Sequence, residues 1–419
     1  MIRDLGGRTK IKVEQGRCRL EIEMEGDVDF LADESGIERM GRGASLEIEE
    51  RIRSQRRRLE VARGQGGQPE YTWFVNRRRR DFDDEARAWL REILPQIFRI
   101  TGVDADRRVE RILAREGTEG VLREIDLIPG DYVQKLYFQE LLEQAALSAE
   151  ELERVIRLAG REISSNHELA ELLIEISGED LDTEAARAAY VAATREIGSD
   201  YELRRTLASL VEGHALDAEV LTAILEAAQS IGSDYELAEL LRLIAREYPR
   251  EQPLPPSYAE ALATIGSDHE HRRVLSAALQ RRNLDREMLD PLLATARDIG
   301  SDYELAELLV EICDLYPQDQ ELPESFFQAL DGIGSDYEHR RVLVAVIERP
   351  TVTPAEVVAV LDSSRSLGSD YEMAELLVKL VRAYPIDDAL RSPFMEALGT
   401  IGSKHERERV SAALERSRE

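Results

Sequence analysis

The feature that most constrains this chain is a 34-residue period in its C-terminal two thirds. Most repeats begin with Ile-Gly-Ser-Asp-Tyr-Glu or a close variant, and no insertion interrupts them. A fixed period of this length is typical of stacked helical hairpins. The chain is therefore predicted to be mainly α, a right-handed α-solenoid of 34-residue helix–turn–helix repeats that is TPR/HEAT-like in architecture only. The first residues of the eight repeats are Ile163, Ile197, Ile231, Ile265, Ile299, Ile333, Leu367 and Ile401.

The repeated hexapeptide predicts how one helix ends and the next begins. We expect its glycine to adopt the left-handed conformation that ends a helix, and its serine to cap the following helix. The glutamate three residues later would complete a capping box, and the aspartate between them suits the positive end of the helix dipole. The serine–glutamate pairs are Ser165/Glu168, Ser199/Glu202, Ser233/Glu236, Ser267/Glu270, Ser301/Glu304, Ser335/Glu338, Ser369/Glu372 and Ser403/Glu406.

A 68-residue period is superimposed on the 34-residue period. The eighth position after each repeat start is alternately acidic and basic, so the pattern repeats fully only after two repeats. Stacking places equivalent positions side by side, so we expect a charge ladder in which each internal residue has two opposite neighbours. The last repeat differs from the others, with Lys404 in place of aspartate and polar residues at Arg407 and Glu408, as expected of a cap. The ladder positions are Glu171, Arg205, Glu239, Arg273, Glu307, Arg341, Glu375 and Arg409.

Residues 1–80 show a different pattern, in which apolar and polar residues alternate with a period of two between breaks rich in glycine and aspartate. This predicts a small antiparallel β domain of five or so strands. The period becomes helical at Asp81, so 81–128 are predicted to be linking helices. The solenoid would occupy 129–419, as one degenerate cap unit around Tyr132 followed by the eight repeats.

Residues 1–80 and residues 81–419 differ in the sign of their net charge. Residues 1–80 contain 18 basic and 15 acidic residues, which leaves 37 basic and 69 acidic residues in 81–419. An acidic surface of this kind repels phosphate backbones and anionic membranes, so we expect no nucleic acid partner. The expected partner is another protein, neutral or cationic, rather than a small molecule. No apolar run is long enough for a membrane span and no signal peptide is evident, so a cytoplasmic location is predicted.

Nothing in the sequence indicates an enzyme, a cofactor or a metal site. The two cysteines, Cys18 and Cys313, are far apart, and Cys313 is expected to be buried. No two histidines have the spacing of a zinc pair on one helical face. His167, His269 and His405 occupy the tyrosine position of the repeat and are interpreted as tyrosine substitutes.

Two sets of residues are candidates for partner binding. The repeated tyrosines would form a column along the stack, either facing a partner or packing between repeats. Of the paired arginines, the second of each pair belongs to the charge ladder and the first would be free for a partner. The candidate binding residues are Tyr201, Arg204, Tyr235, Arg272, Tyr303, Tyr337, Arg340 and Tyr371.

Two arginine runs in the N-terminal region have two interpretations. One run comprises Arg51, Arg53 and 56–58, and the other comprises 77–80. They could form a site for an anionic ligand, membrane or nucleic acid. Alternatively, they are a solvated turn and a linker, or they face the acidic repeats of the same molecule.

The repeat starts, the preceding β segment and the Trp89-Leu90 helix together resemble a bacterial repeat region that occurs alone or attached to membrane-bound sensor peptidases of the β-lactam receptor type. The resemblance covers most of the chain but not the His-Glu-x-x-His zinc helix of those peptidases, so it implies a non-catalytic sensing or docking module. The predicted function is a non-enzymatic scaffold or adaptor for protein–protein interaction. The alternative is a regulatory or substrate protein acted on by a partner protease or effector in bacterial signalling or defence, cut at a linker such as 64–68.

Overall fold

A computed structural model of the chain describes residues 2–4, 8–15, 18–177, 181, 183–213, 217–281 and 286–417. The chain is mainly helical, with an antiparallel sheet at its N-terminus. Its residues fall into two compact units, one of Met1–Glu175 with Leu181–Glu196 and the other of Ile176–Asp180 with Ile197–Glu419. The predicted boundaries at 80 and 128 stay predictions.

The N-terminal sheet has seven strands in the order β1-β2-β3-β6-β7-β8-β9, and β4 and β5 form a separate hairpin. This is more than the five or so strands predicted, because the short end strands are too brief to show an alternating pattern. A 3₁₀ turn, Gln65–Gly67, joins β7 to β8. The strands are β1 Ile2–Asp4, β2 Arg8–Gln15, β3 Cys18–Glu25, β4 Val28–Phe30, β5 Ile37–Met40, β6 Ser45–Ile52, β7 Gln55–Arg63, β8 Pro69–Val75 and β9 Arg78–Arg80.

One face of this sheet is covered by the first helix, whose apolar stripe predicted a buried side. The Trp73 and Trp89 rings lie 4.7 Å apart, and the Phe30 and Phe98 rings meet edge to face at 4.9 Å. The sheet and the first helix therefore share one core. The helices of this part are α1 Asp84–Thr101, α2 Ala105–Ile125, α3 Asp131–Gln144, α4 Ala149–Glu162, α5 Asn166–Ile176 and α6 Glu184–Thr194.

The second unit consists of helical hairpins. The odd-numbered helices pack each against the next from α7 to α19, and the even-numbered helices do so from α8 to α14 and from α16 to α18. The residue ten positions after the repeat start is a buried leucine in the first seven repeats and Ser411 in the eighth. The helices are α7 Asp200–Gly213, α8 Ala218–Ala228, α9 Asp234–Glu247, α10 Pro256–Leu262, α11 Asp268–Leu279, α12 Arg286–Ala296, α13 Asp302–Leu315, α14 Glu324–Leu330, α15 Asp336–Ile347, α16 Pro354–Ser364, α17 Asp370–Ala383, α18 Asp388–Thr400 and α19 Lys404–Arg416.

The prediction for the repeated glycine is wrong, because none of the glycines at these positions has a positive φ. In the second unit the glycine N–H instead donates to the aspartate of the preceding repeat, a contact that we call the aspartate bridge. Six bridges occur, with N···O distances of 2.8–3.1 Å: Gly232 to Asp200, Gly266 to Asp234, Gly300 to Asp268, Gly334 to Asp302, Gly368 to Asp336 and Gly402 to Asp370. The aspartate therefore joins consecutive repeats as well as suiting its own helix dipole.

The capping prediction is half right. In every odd-numbered helix from α9 to α19 the serine hydroxyl accepts the glutamate N–H, as expected of an N-cap. The glutamate side chain does not complete a capping box in these helices, because it binds an arginine instead. Complete boxes do form at Ser148/Glu151 and Thr353/Glu356, which lie outside the repeated motif.

The repeat that contains α19 departs from the pattern of the aspartate bridge. Lys404 occupies the position of the bridging aspartate, at the start of the last helix, α19. The lysine side chain has no carboxylate, so it cannot accept a backbone N–H as the repeated aspartate does. Arg407 and Glu408 are exposed on the same helix, which agrees with the predicted cap.

Two buried arginines, Arg281 and Arg349, each bind the backbone of a loop that begins with Tyr-Pro. These loops begin at Tyr248-Pro249 and Tyr316-Pro317, 68 residues apart. The Arg281 guanidinium donates to the carbonyl groups of Ala245, Tyr248, Pro249 and Gln252 at 2.6–3.1 Å. Arg349 has the equivalent position in the next loop. It donates to the carbonyl groups of Pro317 and Gln320 and forms a buried ion pair with Glu356 at 2.5 Å. These arginines satisfy carbonyls that the chain reversal removes from helical bonding.

Candidate protein-binding surface

The repeated tyrosines of the second unit form an exposed row, which we call the tyrosine column. Each ring follows a serine cap as the second residue of its helix, so the helix start fixes its direction. More than half of each residue remains exposed, so these tyrosines are not buried between repeats. The exposed fractions are 51% for Tyr201, 55% for Tyr235, 54% for Tyr303, 53% for Tyr337 and 55% for Tyr371.

Arginines of the same or the following repeat lie over several of these rings. The Arg204 guanidinium is 5.3 Å from the Tyr201 ring centre, and Arg340 is 5.4 Å from that of Tyr337. Arg341, from the following repeat, is 5.7 Å from the Tyr303 ring centre. Such cation–π contacts restrict the rings before any partner arrives, which lowers the entropy lost on binding.

The first arginine of each pair is not free, in contrast to the prediction. Arg204 Nε lies 2.9 Å from Glu236 Oε2 in the next repeat, and the side chains are only 26% and 15% exposed. Arg272 binds Glu304 and Arg340 binds Glu372 in the same way. We call these contacts cap pairs, because each acid is the glutamate of a helix start. They hold the arginines in place, and whether the arginines also bind a partner stays a prediction.

The charge ladder exists as separate pairs rather than as a continuous row. Arg273 Nη2 lies 3.0 Å from Glu239 Oε1, Arg341 Nη2 lies 2.6 Å from Glu307 Oε1, and Arg409 binds Glu375. Among the ion pairs of the described residues, Glu307 contacts Arg341 but not Arg273. The expectation of two opposite neighbours is therefore wrong for Glu307, since Arg273 pairs with Glu239 and with Glu270 of its own repeat.

Ladder pairs and cap pairs alternate along the second unit. Ladder pairs join α9 to α11, α13 to α15 and α17 to α19. Cap pairs join α7 to α9, α11 to α13 and α15 to α17. This alternation gives the 68-residue order a structural basis.

A histidine replaces tyrosine in the middle of the column. His269 Nδ1 lies 3.3 Å from Glu304 Oε1, and the histidine side chain is 58% exposed. Burial acts to raise the pKa of Glu304, but the hydrogen bond and charge of Arg272, together with His269, outweigh it and hold that pKa below its ordinary value. Glu304 therefore stays ionised beside Arg272.

Two other histidines, His271 and His339, occupy equivalent buried positions that the sequence did not single out. They are 2% and 3% exposed. His339 Nε2 lies 2.9 Å from Ser363 Oγ, whereas His271 Nε2 has no hydrogen-bond partner. Their recurrence after 68 residues was the available signal. They belong to the core beneath the column rather than to its surface.

Cys313 is not positioned for chemistry at the surface. Cys313 is buried, as predicted, and burial raises the pKa of its thiol to about 12. His214 lies outside the described residues. Within the described ranges, no three acidic, histidine or cysteine side chains are grouped to hold a metal ion. In the same ranges we find no helix with the length and apolarity needed to cross a membrane.

Comparison with known proteins adds little to this description. No family model and no curated protein matches the chain. Two solved structures match weakly. One is described as a circular tandem repeat protein with novel repeat topology and enhanced subunit contact surfaces, at 16% identity and a TM-score of 0.15, covering 80% of this chain and 66% of the other. The second comes from the computational design of self-assembling cyclic protein homooligomers, at 13% identity and a TM-score of 0.12, covering 80% and 99%. Neither likeness carries an argument about function.

Proposed function

We propose that this chain is a non-enzymatic scaffold or adaptor, a right-handed α-solenoid of 34-residue repeats that binds another protein along the tyrosine column. One observation carries the proposal, namely that five tyrosines at equivalent positions are each more than half exposed. A large ring in contact with solvent contributes little to the core. Tyrosine and arginine are favoured at protein interfaces, because they combine apolar area with hydrogen bonding.

The charge of the repeats restricts the partner. The acidic excess in 81–419 favours a neutral or cationic protein surface over nucleic acid. Within the column itself, cap pairs and ladder pairs neutralise many of the carboxylates. The partner is therefore expected to gain affinity from the tyrosines, while the wider acidic field increases its rate of association.

The absence of an enzymatic role is part of the proposal. The repeated aspartates, glutamates and arginines are engaged in bridges, caps and pairs between helices. The resemblance to the repeat region found beside bacterial sensor peptidases supports a sensing or docking module. The predicted cytoplasmic location goes with this role.

Affinity capture of partner proteins by variants of the tyrosine column tests the proposal. Changing Tyr303, Tyr337 and Tyr371 to serine should abolish capture of any partner that the unmodified chain retains. A control with Leu315→Ser and Met395→Ser removes large apolar residues that are 43% and 48% exposed in the same unit, and it should still capture the partner. Capture that survives loss of the tyrosines would disprove the proposed surface.

The alternative is a regulatory or substrate protein acted on by a partner protease or effector, and cleavage at a linker such as 64–68 would favour it. That segment is a hydrogen-bonded turn, in which the Gly64 N–H donates to the Gln68 carbonyl at 2.8 Å and Gly67 is buried. A protease needs an extended segment, so the geometry does not favour cleavage at this point. A co-purified peptidase that cuts this turn in the folded chain would favour the alternative.

A further inference from the structure

The N-terminal sheet brings its two arginine runs to one end. The β6–β7 turn lies between paired residues Ile52 and Gln55, and the β8–β9 turn lies between Val75 and Arg78. The Asn76 N–H donates to the Arg56 carbonyl at 2.8 Å, and the Asn76 side chain accepts the Arg56 N–H at 3.0 Å. The two turns are therefore neighbours. We call Ile52, Arg53 and 77–80 the basic end of the sheet.

Most of the first run is neutralised within the sheet. Arg51 and Arg56 pair with Glu49, and Arg57 pairs with Glu50. Arg58 pairs with Glu47 and Glu60. The acidic partners of these four arginines therefore belong to the sheet itself.

The arginines of the basic end behave differently. Arg53 and all four residues of 77–80 are exposed, and none of them forms an ion pair with another residue that the structure describes. In a chain with 84 acidic residues, five exposed arginines without an acidic partner form an unusual local concentration of positive charge. Such a concentration attracts anions within about one Debye length, roughly 8 Å at physiological salt. More distant acids of the same chain are screened beyond that range.

The backbone at both turns gives an independent argument. Arg53 has a φ of 54° and Arg77 a φ of 68°, which is the left-handed region that favours glycine or asparagine. Both turns thus carry an arginine where glycine would fit with less strain. A side chain retained against the preference of its backbone points to a use for that side chain.

Ile52 indicates the kind of anion. It is 43% exposed beside Arg53, at the tip of the β6–β7 hairpin. An aliphatic side chain among arginines suits the boundary between lipid headgroups and acyl chains. Nucleic acid would instead favour an exposed aromatic ring for stacking, and the nearby Phe74 ring is half-buried with the Arg58 guanidinium 5.1 Å from its centre.

We propose that the basic end of the sheet binds the surface of an anionic membrane, with its arginines on lipid phosphates and Ile52 at the headgroup boundary. This contact is peripheral and independent of the tyrosine column. It would place the N-terminal sheet at a membrane surface.

Sedimentation of the full chain with phosphatidylcholine vesicles, with or without phosphatidylglycerol, tests the proposal. The unmodified chain should sediment only with vesicles that contain phosphatidylglycerol, and less so as salt is raised. Arg53→Gly with Arg77→Gly should weaken binding by about fivefold for each arginine removed. The same double variant should melt at an equal or higher temperature, because glycine relieves both left-handed positions. Ile52→Ser should weaken binding without changing its salt dependence.

A matched control removes the same charge elsewhere. Arg250 and Arg382 are exposed in the second unit, and their replacement by serine should leave vesicle binding unchanged. Three results would each overturn the proposal: no binding of the unmodified chain to phosphatidylglycerol vesicles, equal loss in the glycine and control variants, or tighter binding to single-stranded RNA than to vesicles. None of these results would affect the tyrosine column.

Discussion

Asp302 and Gly334 are 32 residues apart in the sequence, yet the Asp302 carboxylate accepts the Gly334 backbone N–H at 2.9 Å. The same contact recurs between consecutive repeats of the second unit. It joins the start of one helix to the turn that precedes the next equivalent helix. One hydrogen bond therefore connects two repeats and holds the turn between them.

The first prediction concerns this bridge. Asp302→Ala should lower the free energy of unfolding by about 1–2 kcal/mol, because it leaves the Gly334 N–H without its charged acceptor and removes a favourable charge from the helix start. Asp302→Asn should cost less, since the amide oxygen can still accept. Urea denaturation measures both, with the exposed loop variant Asp319→Ala as a control. Equal stability of Asp302→Ala and the control would show that the bridge is not stabilising.

The second prediction is that ladder charges interact in pairs. A double-mutant cycle with Glu307→Gln and Arg341→Gln should give a coupling of a few tenths to about 1 kcal/mol, which is the range of partly exposed ion pairs. The cycle with Glu307→Gln and Arg273→Gln should give a much smaller coupling. The first coupling should also decrease in high salt. Equal couplings in the two cycles would restore the continuous ladder.

The third prediction concerns Arg281. Arg281→Met should cost about 3 kcal/mol, because four loop carbonyls lose a buried cationic donor. Arg281→Lys should lose less, since an ammonium group can still reach some of these oxygens. Chemical denaturation provides the comparison, with the exposed Arg250→Met in the same loop as control. A methionine variant as stable as the control would mean that the loop is held by other contacts.

The fourth prediction is a loss of stability in mild acid. Burial lowers the pKa of His271 and His339 below 6.5, although the Ile265 and Ile333 carbonyls and nearby aspartates act in the opposite direction. The unfolded chain therefore takes up protons that the folded chain does not. This contribution to stability is present above pH 6.5 and is lost as the pH falls towards the folded-state values.

Urea denaturation at several pH values between about 7.5 and 5 shows whether the free energy of unfolding falls as the pH falls. The ordinary pKa of histidine lies in that range. The double variant His271→Gln with His339→Gln should have a flatter pH dependence than the unmodified chain. His269→Gln serves as the control, because that side chain is 58% exposed. A control that flattens the profile as much as the buried pair would contradict the assignment.

Local chemistry made part of the fold predictable. The serine caps follow from hydrogen bonding at the start of one helix, and that prediction is confirmed. The glycine prediction failed because the glycine N–H is bound by the preceding repeat, a partner that no local pattern shows.

The candidate surface was predictable in its residues but not in its geometry. The period placed the tyrosines in a column, yet it could not decide between a buried and an exposed ring. The pairing of Arg272 with Glu304 depends on which neighbouring repeat each side chain reaches, and a strict period leaves both directions open. Arg281 and Arg349 were overlooked, although their 68-residue spacing matches the Tyr-Pro loops that they bind.

Because ladder pairs and cap pairs alternate, the contacts between repeats recur only every second repeat. Removing one 34-residue repeat, such as the one containing α11, would set Glu239 against Glu307 and would delete Arg272 from its cap pair. Removing or adding 68 residues would reproduce both kinds of contact unchanged. Chains built on this plan should therefore lengthen or shorten by two repeats at a time, and an odd step should leave like charges in register at the new junction.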